Sequence, residues 1–190
     1  MQKIPLSNGL VRSSQLLQLL DYVLLSQQDL KTGLHAWAEG FVLLNSQYGI
    51  QLQQDETHLR LVLKSTDSLP NWLYYLWLLL LERIGEFIAG NKMASKSPLS
   101  ALVSASMHCT SQQRTNYPQS ALFRTINFED KQTVINLANG ILNSKYKLPL
   151  PNVGAGLTDV LSLLKFGNIN LGNSESAKLK FLLNHLLPAV

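Results

Sequence analysis

The sequence is poor in cysteine, in charge and in catalytic patterns, and each shortage removes a class of protein. Cys109 is the single cysteine among 190 residues. It has no intrachain partner, so no internal disulfide and no thiolate metal site can form, and a reducing compartment suits the chain. Lys, Arg, Asp and Glu make up 15% of the residues, with a formal net charge of +4. A basic excess this small, scattered along the chain, is not the footprint of a nucleic-acid-binding surface. The strongest apolar run, Trp72 to Leu81, is closed by Glu82 and Arg83, well short of the roughly 20 residues of a spanning helix. Met1-Gln2-Lys3-Ile4-Pro5 opens no apolar secretory segment. A soluble cytoplasmic protein with no membrane partner is the expectation.

Catalytic and metal-binding templates are missing as well. His35, His58, His108 and His185 form no His-x-x-x-His pair, so no metal is expected. Cys109 follows His108 directly, and neighbours in an extended segment point to opposite faces, which favours a buried structural thiol over a nucleophile. Glu82 and Glu86 share a helical face, where they read as the solvated end of an apolar helix rather than as an acid–base pair. The glycines Gly154, Gly156, Gly167 and Gly172 lead into no Lys-Ser or Lys-Thr, so no phosphate cradle is present. No Gly-x-Ser-x-Gly elbow occurs. The chain therefore reads as a binding module, with no enzymatic activity and no cofactor.

What is there is apolar patterning. An apolar content of 46% over 190 residues supplies a core for one domain. Leu16, Leu17, Leu19, Leu20, Val23 and Leu24 recur at spacings of three and four, predicting a helix over 14–26. Asp29 is placed to cap a second helix to about Gln47, with Leu30, Leu34, Trp37, Phe41 and Leu44 on one face and Gly49 to end it. From Ile50 the period changes to two, and Ile50 and Leu52, then Leu59, Leu61 and Leu63, mark a hairpin turning at Gln54-Asp55-Glu56-Thr57. Ser68 and Pro70 open a long helix to about Gly90 whose first half is apolar nearly all round, so it must be covered on more than one side.

Beyond Asn91, residues 99–108 suit a strand or a short helix, 117–124 a short helix, and 125–128 and 132–137 strands about the turn Glu129-Asp130-Lys131. A short helix over 139–144 precedes Pro149 and Pro151, and amphipathic helices follow over 157–166 and 174–187. The fold class is α+β, with a small antiparallel sheet that includes the hairpin near 50–64, packed against several helices, and a helical C-terminal segment.

Trp37 and Phe41 on one helix and Tyr74, Tyr75 and Trp77 on the next flank the hairpin, with Arg60 and His35 as polar neighbours. Such a set is either ordinary core filling or the lining of a small-ligand site; in the second case Trp37, Phe41, Arg60, Tyr74 and Trp77 are the candidate ligand-binding residues.

The order of these pieces resembles the arabinose-binding-like N-terminal regulatory domain of AraC-type transcription regulators. Leu20-Asp21-Tyr22 with Ser26 is similar to that family's Leu-Gly-Tyr followed by Ser, and Asp29-Leu30-Lys31-Thr32-Gly33-Leu34 to its helix start. The hairpin and the aromatic helix follow in the family's order. Tyr117 to Phe123 is similar to its Tyr-x-x-x-Phe helix, and Asn136 to Leu142 leading to Leu148-Pro149-Leu150 to its closing strand and Pro-Leu. The resemblance covers roughly Leu16 to Pro151. It implies an effector-sensing, perhaps dimerising regulatory domain over 1–151 and a helical extension over 152–190 that would lead to a helix-turn-helix DNA-binding domain absent from this sequence. The implied partners are an unknown small organic effector, a second copy in a homodimer, and DNA only through the missing domain. The alternative is a stand-alone protein-interaction module with no small-molecule ligand, docking through the face from Trp72 to Trp77 or through the C-terminal helix.

Overall fold

Alternation at a period of two builds a sheet, and the computed structural model describes it within residues 20–44, 48–65, 68–92, 96, 98–115, 126–128 and 131–148. Strands β1 (Gly49–Gln54) and β2 (His58–Lys64) form the hairpin, and β3 (Val103–Ser106), β4 (Ile126–Asn127) and β5 (Thr133–Ala138) complete five strands in the order β1-β2-β5-β3-β4. Three pairings are antiparallel, while β4 joins β3 in parallel. The sheet is therefore mixed rather than purely antiparallel. Parallel neighbours need a connection of about a dozen residues or more, and Ser106 and Ile126 are far enough apart in the sequence for one.

Leu59, Leu61, Leu63, Val103, Ala105, Ile135 and Leu137 are buried on the inner face of the sheet. Arg60 and Ser104 stand exposed on the outer face, where Asn136 Nδ2 donates to Ser104 Oγ at 3.3 Å. This is the one-sided burial that the alternating pattern requires. The turn is held by Asp55, whose Oδ1 accepts from the N–H groups of Thr57 and His58, each at 2.7 Å. An aspartate that satisfies two backbone donors in this way closes a tight turn without glycine.

Helix α1 is described over 20–25, α2 spans Leu30–Leu44 and α3 spans Asn71–Ala89. Asp29 caps α2 through Thr32 N–H at 2.8 Å, as its place before the apolar stripe predicts. The next orphan donors are met from far along the chain: Leu30 N–H donates to Ser144 O at 2.8 Å and Lys31 N–H to Leu142 O at 2.9 Å. At the other end, Gly49 opens β1 instead of closing α2. Pro70 precedes α3 and its carbonyl accepts from Leu73 and Tyr74, a position where the missing proline N–H costs nothing. Leu73, Tyr74, Leu76, Trp77, Leu78, Leu80 and Leu81 are all buried along its first half. A helix wrapped in apolar residues is covered from several sides, and α1, α2, α3 and the inner sheet face share one core.

The ambiguous stretch 99–108 holds both alternatives in succession, the one-turn helix α4 (Leu99–Leu102) and then β3. A one-turn helix α5 (Ser111–Thr115) follows. The expected short helix after β5 is a 3-10 turn at Asn139–Ile141. The helices expected over 117–124, 157–166 and 174–187, and the extension over 152–190, lie outside the described residues.

Candidate functional site

Four of the five candidate ligand-binding residues are buried in one core, and three of them meet ring to ring. Trp37 and Phe41 lie one turn apart on α2, so their rings stack at 5.5 Å with an interplanar angle of 13°. Trp77 approaches from α3 and meets Trp37 edge-on at 6.3 Å and 68°, a geometry that sets the positive ring edge against the negative face. Tyr74 sits one turn earlier on α3. Relative exposures are 1% for Trp37, 0% for Phe41 and Trp77, and 2% for Tyr74, so these rings pack against protein and not against solvent.

Arg60, the fifth candidate, is elsewhere. It projects from the outer face of β2 between Leu59 and Leu61, which point inward, and it is exposed. With a period of two, the strand that buries its leucines must turn the intervening arginine away, so the sheet separates Arg60 from the aromatic group. His35 is also exposed, on the outward side of α2.

Polar contacts fix the site's floor. Tyr74 donates its hydroxyl to Gln113 O at 3.1 Å. Burial raises its pKa to about 12, so at neutral pH it stays a neutral donor. Gln113 is itself buried; its Nε2 donates to Leu69 O at 2.8 Å and to Asn71 Oδ1 at 2.9 Å, and its Oε1 accepts from Thr110 N–H at 2.8 Å. α5 is thereby pinned to the start of α3. In contrast, Trp77 Nε1 is buried with no hydrogen-bond partner among the described residues. A buried, unpaired donor costs about 1–3 kcal/mol.

A second polar group lies at the far end of α3. Arg83 Nε donates to Asp21 Oδ1 at 2.7 Å and its Nη1 to Glu86 Oε1 at 2.7 Å. Tyr146 OH donates to Glu86 Oε2 at 3.4 Å. Burial pushes the Asp21 carboxyl above its usual range, although Arg83 pulls it down. Glu86 is thus committed to an ion pair, while Glu82 is exposed. Asp21 and Arg83 are 62 positions apart, and only the packing of α1 on α3 joins them.

His108 and Cys109 belong to the segment after β3. His108 N–H donates to Thr133 Oγ1 at 3.1 Å and its carbonyl accepts from Leu69 N–H at 3.0 Å, and Cys109 is buried. Among the described residues no group of three or more His, Cys, Asp or Glu could hold a metal ion. No helix among them is long and apolar enough to cross a membrane. Chemically, the arrangement is a closed set of packed aromatic rings, with one indole N–H unpaired among the described residues and a phenol that donates to Gln113. No family model, curated protein or solved structure matches the chain.

Proposed function

We propose that the chain is the effector-sensing domain of a cytoplasmic AraC-type transcription regulator, taking a small organic ligand between α2 and α3 above the sheet. What supports this reading is that those sequence pieces of the resemblance that lie among the described residues pack into one core. The helix start at Asp29 to Leu34 receives the carbonyls of Leu142 and Ser144 from the closing segment, and the hairpin and aromatic helix contribute to the same core. The single observation that carries the ligand part is the buried Trp77 Nε1 beside Trp37, which has no hydrogen-bond partner among the described residues. An apolar ligand with one acceptor atom would relieve that donor while replacing ring–ring contacts.

A ligand acts on such a domain only through unequal affinities for two arrangements. Entry between α2 and α3 would separate Trp37 from Trp77, and α3 carries that displacement along to the ion pair of Arg83 with Asp21 on α1. The test is a thermal-shift screen of amino acids, sugars, fatty acids and small aromatics, with tryptophan emission as second readout. A ligand at one hundred times its Kd stabilises the fold by about 2.7 kcal/mol. No shift and no emission change with any class would reject the sensing reading.

One observation favours the second reading, a protein-interaction module. Tyr75 is 59% exposed on α3, next to the half-buried Trp72, and tyrosine at such a place is a common anchor for a partner.

A further inference from the structure

The two edges of the sheet are built differently. β4 closes one side with two residues, Ile126–Asn127, too short to template another strand. β1 closes the other with six, Gly49-Ile50-Gln51-Leu52-Gln53-Gln54. Exposed edges are normally blunted by lysine, proline, an inward charge or a bulge. β1 has no such device: it contains no ionisable residue and no proline, and its register with β2 runs unbroken from Gly49↔Lys64 to Gln54↔Leu59.

The register also fixes which backbone groups are unpaired. Asp55 N–H donates to His58 O at 2.9 Å, so that couple is a hydrogen-bonded pair, and antiparallel ladders alternate from there. Gln54, Leu52 and Ile50 therefore occupy the non-hydrogen-bonded places opposite Leu59, Leu61 and Leu63. Their N–H and C=O groups point away from β2, to the edge that no other strand among the described residues pairs with. The β2 side agrees, since Asn139 N–H donates to Thr57 O at 2.9 Å, which puts Leu59, Leu61 and Leu63 in hydrogen-bonded pairs with β5.

We propose that this edge pairs with β1 of a second copy of the chain, antiparallel about a two-fold axis at Leu52, joining the two sheets into one. The pattern is self-complementary. With Leu52 opposite Leu52, Ile50 falls opposite Gln54, and every outward group meets an outward group, giving about six backbone hydrogen bonds. On the outer face Gln51 falls opposite Gln53, two neutral amides able to bond to each other and free of the like-charge repulsion that a chain of net charge +4 would otherwise meet on self-association. On the inner face the half-exposed Ile50 and Leu52, with Tyr48 beside them, extend the core across the join. A self-matched strand of this kind fits the isologous contact of a two-fold dimer, and strand addition is an established docking mode. The inference stands on the sheet edge alone, independently of the effector reading.

The test uses the full 190-residue chain in sedimentation velocity over a concentration series, with hydrogen exchange read at single amides. A dimer is expected, with the Ile50, Leu52 and Gln54 amides slowed at high concentration and released on dilution. Gln51 and Gln53 are exposed and stand opposite Val62 and Arg60 on β2, so replacing both with glutamate sets no like charges across the β1–β2 ladder of the monomer. The Q51E/Q53E chain should dissociate at least about tenfold more readily, since like charges then face across the axis. Mixing it with the Q51K/Q53K chain should give a heterodimer. A monomer throughout the series, fast exchange of the three amides in a dimer, or a dimer indifferent to the glutamate pair would each overturn the proposal.

Discussion

Replacing Gly33 with alanine sets helix propensity against packing, and the distances decide between them. Gly33 lies in the first turns of α2, where its N–H donates to Asp29 O at 3.0 Å. Propensity alone favours alanine in a helix by about 1 kcal/mol. A Cβ at this position, however, would stand 2.8 Å from the Leu24 carbonyl oxygen and 3.0 Å from Leu24 Cδ1. The first of these atoms is backbone, so relief requires the end of α1 to move away from α2, and Leu24 is only 1% exposed in the core that this motion would disturb. Overpacking of that kind costs about 1–3 kcal/mol. The net expectation is a loss of about 1 kcal/mol for Gly33→Ala, a fall in Tm of about 3 °C for a domain of this size. Urea unfolding followed by tryptophan emission measures it. Gly49→Ala supplies the contrast, because its Cβ would meet only Lys64 Cδ and Cβ at 3.7 and 3.8 Å, and relief of strand glycine should add about 0.5 kcal/mol. If Gly33→Ala raises the unfolding midpoint, the close approach of α1 to α2 is wrong.

Arg83→Met should destabilise by about 2 kcal/mol at neutral pH by stripping charged hydrogen bonds from Asp21 and Glu86. Its deficit should shrink as pH falls, because burial already raises Asp21 and the loss of Arg83 raises it further, so acid neutralises the stranded carboxylate; a pH-independent deficit would contradict this. Asp55 has its pKa held down to about 2, from 3.8, by the N–H groups of Thr57 and His58. Its contribution is complete above 3.8 and is lost as pH falls towards 2; Asp55→Asn should flatten the stability profile across that window, read by thermal melts at stepped pH. Tyr74→Phe should cost about 1 kcal/mol for the bond to Gln113, and Gln113→Ala more, since Leu69 O and Asn71 then lose their donor; equal melting points for both variants and the unaltered chain would show that α5 is not anchored this way. Leu61→Ala, on the inner face of β2 at 0% exposure, should cost about 2–5 kcal/mol in urea unfolding.

The elements near the middle of the chain were legible because their patterns are local. Leucines at 59, 61 and 63 can share a face only in a strand, Asp29 ahead of an apolar stripe can cap only a helix, and Pro70 marks where α3 begins. The strand-or-helix ambiguity at 99–108 arose because Ala, Val and Ser carry little periodicity, and the chain resolves it by using both. β4 was readable as a strand but its parallel direction was not, since two residues hold no sign of which neighbour they join. The candidate site divides along the same line. That Trp37 and Phe41 share a helix face follows from their spacing of four. That Arg60 lies behind the sheet also follows from the alternation of β2, once the buried face is taken as the reference for where a ligand could sit.

The sequence by itself determined the α+β class, the hairpin with its one-sided burial and the long apolar helix, because periods of two and 3.6 impose themselves residue by residue on the backbone. Only the tertiary structure decided that the central aromatics stack on one another inside the core, that the Trp77 N–H is buried there with no partner among the described residues, and that Arg83 finds Asp21. It also decided which strands stand at the edges of the sheet. Those outcomes depend on which elements become neighbours, a matter of packing between segments far apart in the chain, and no local pattern encodes it.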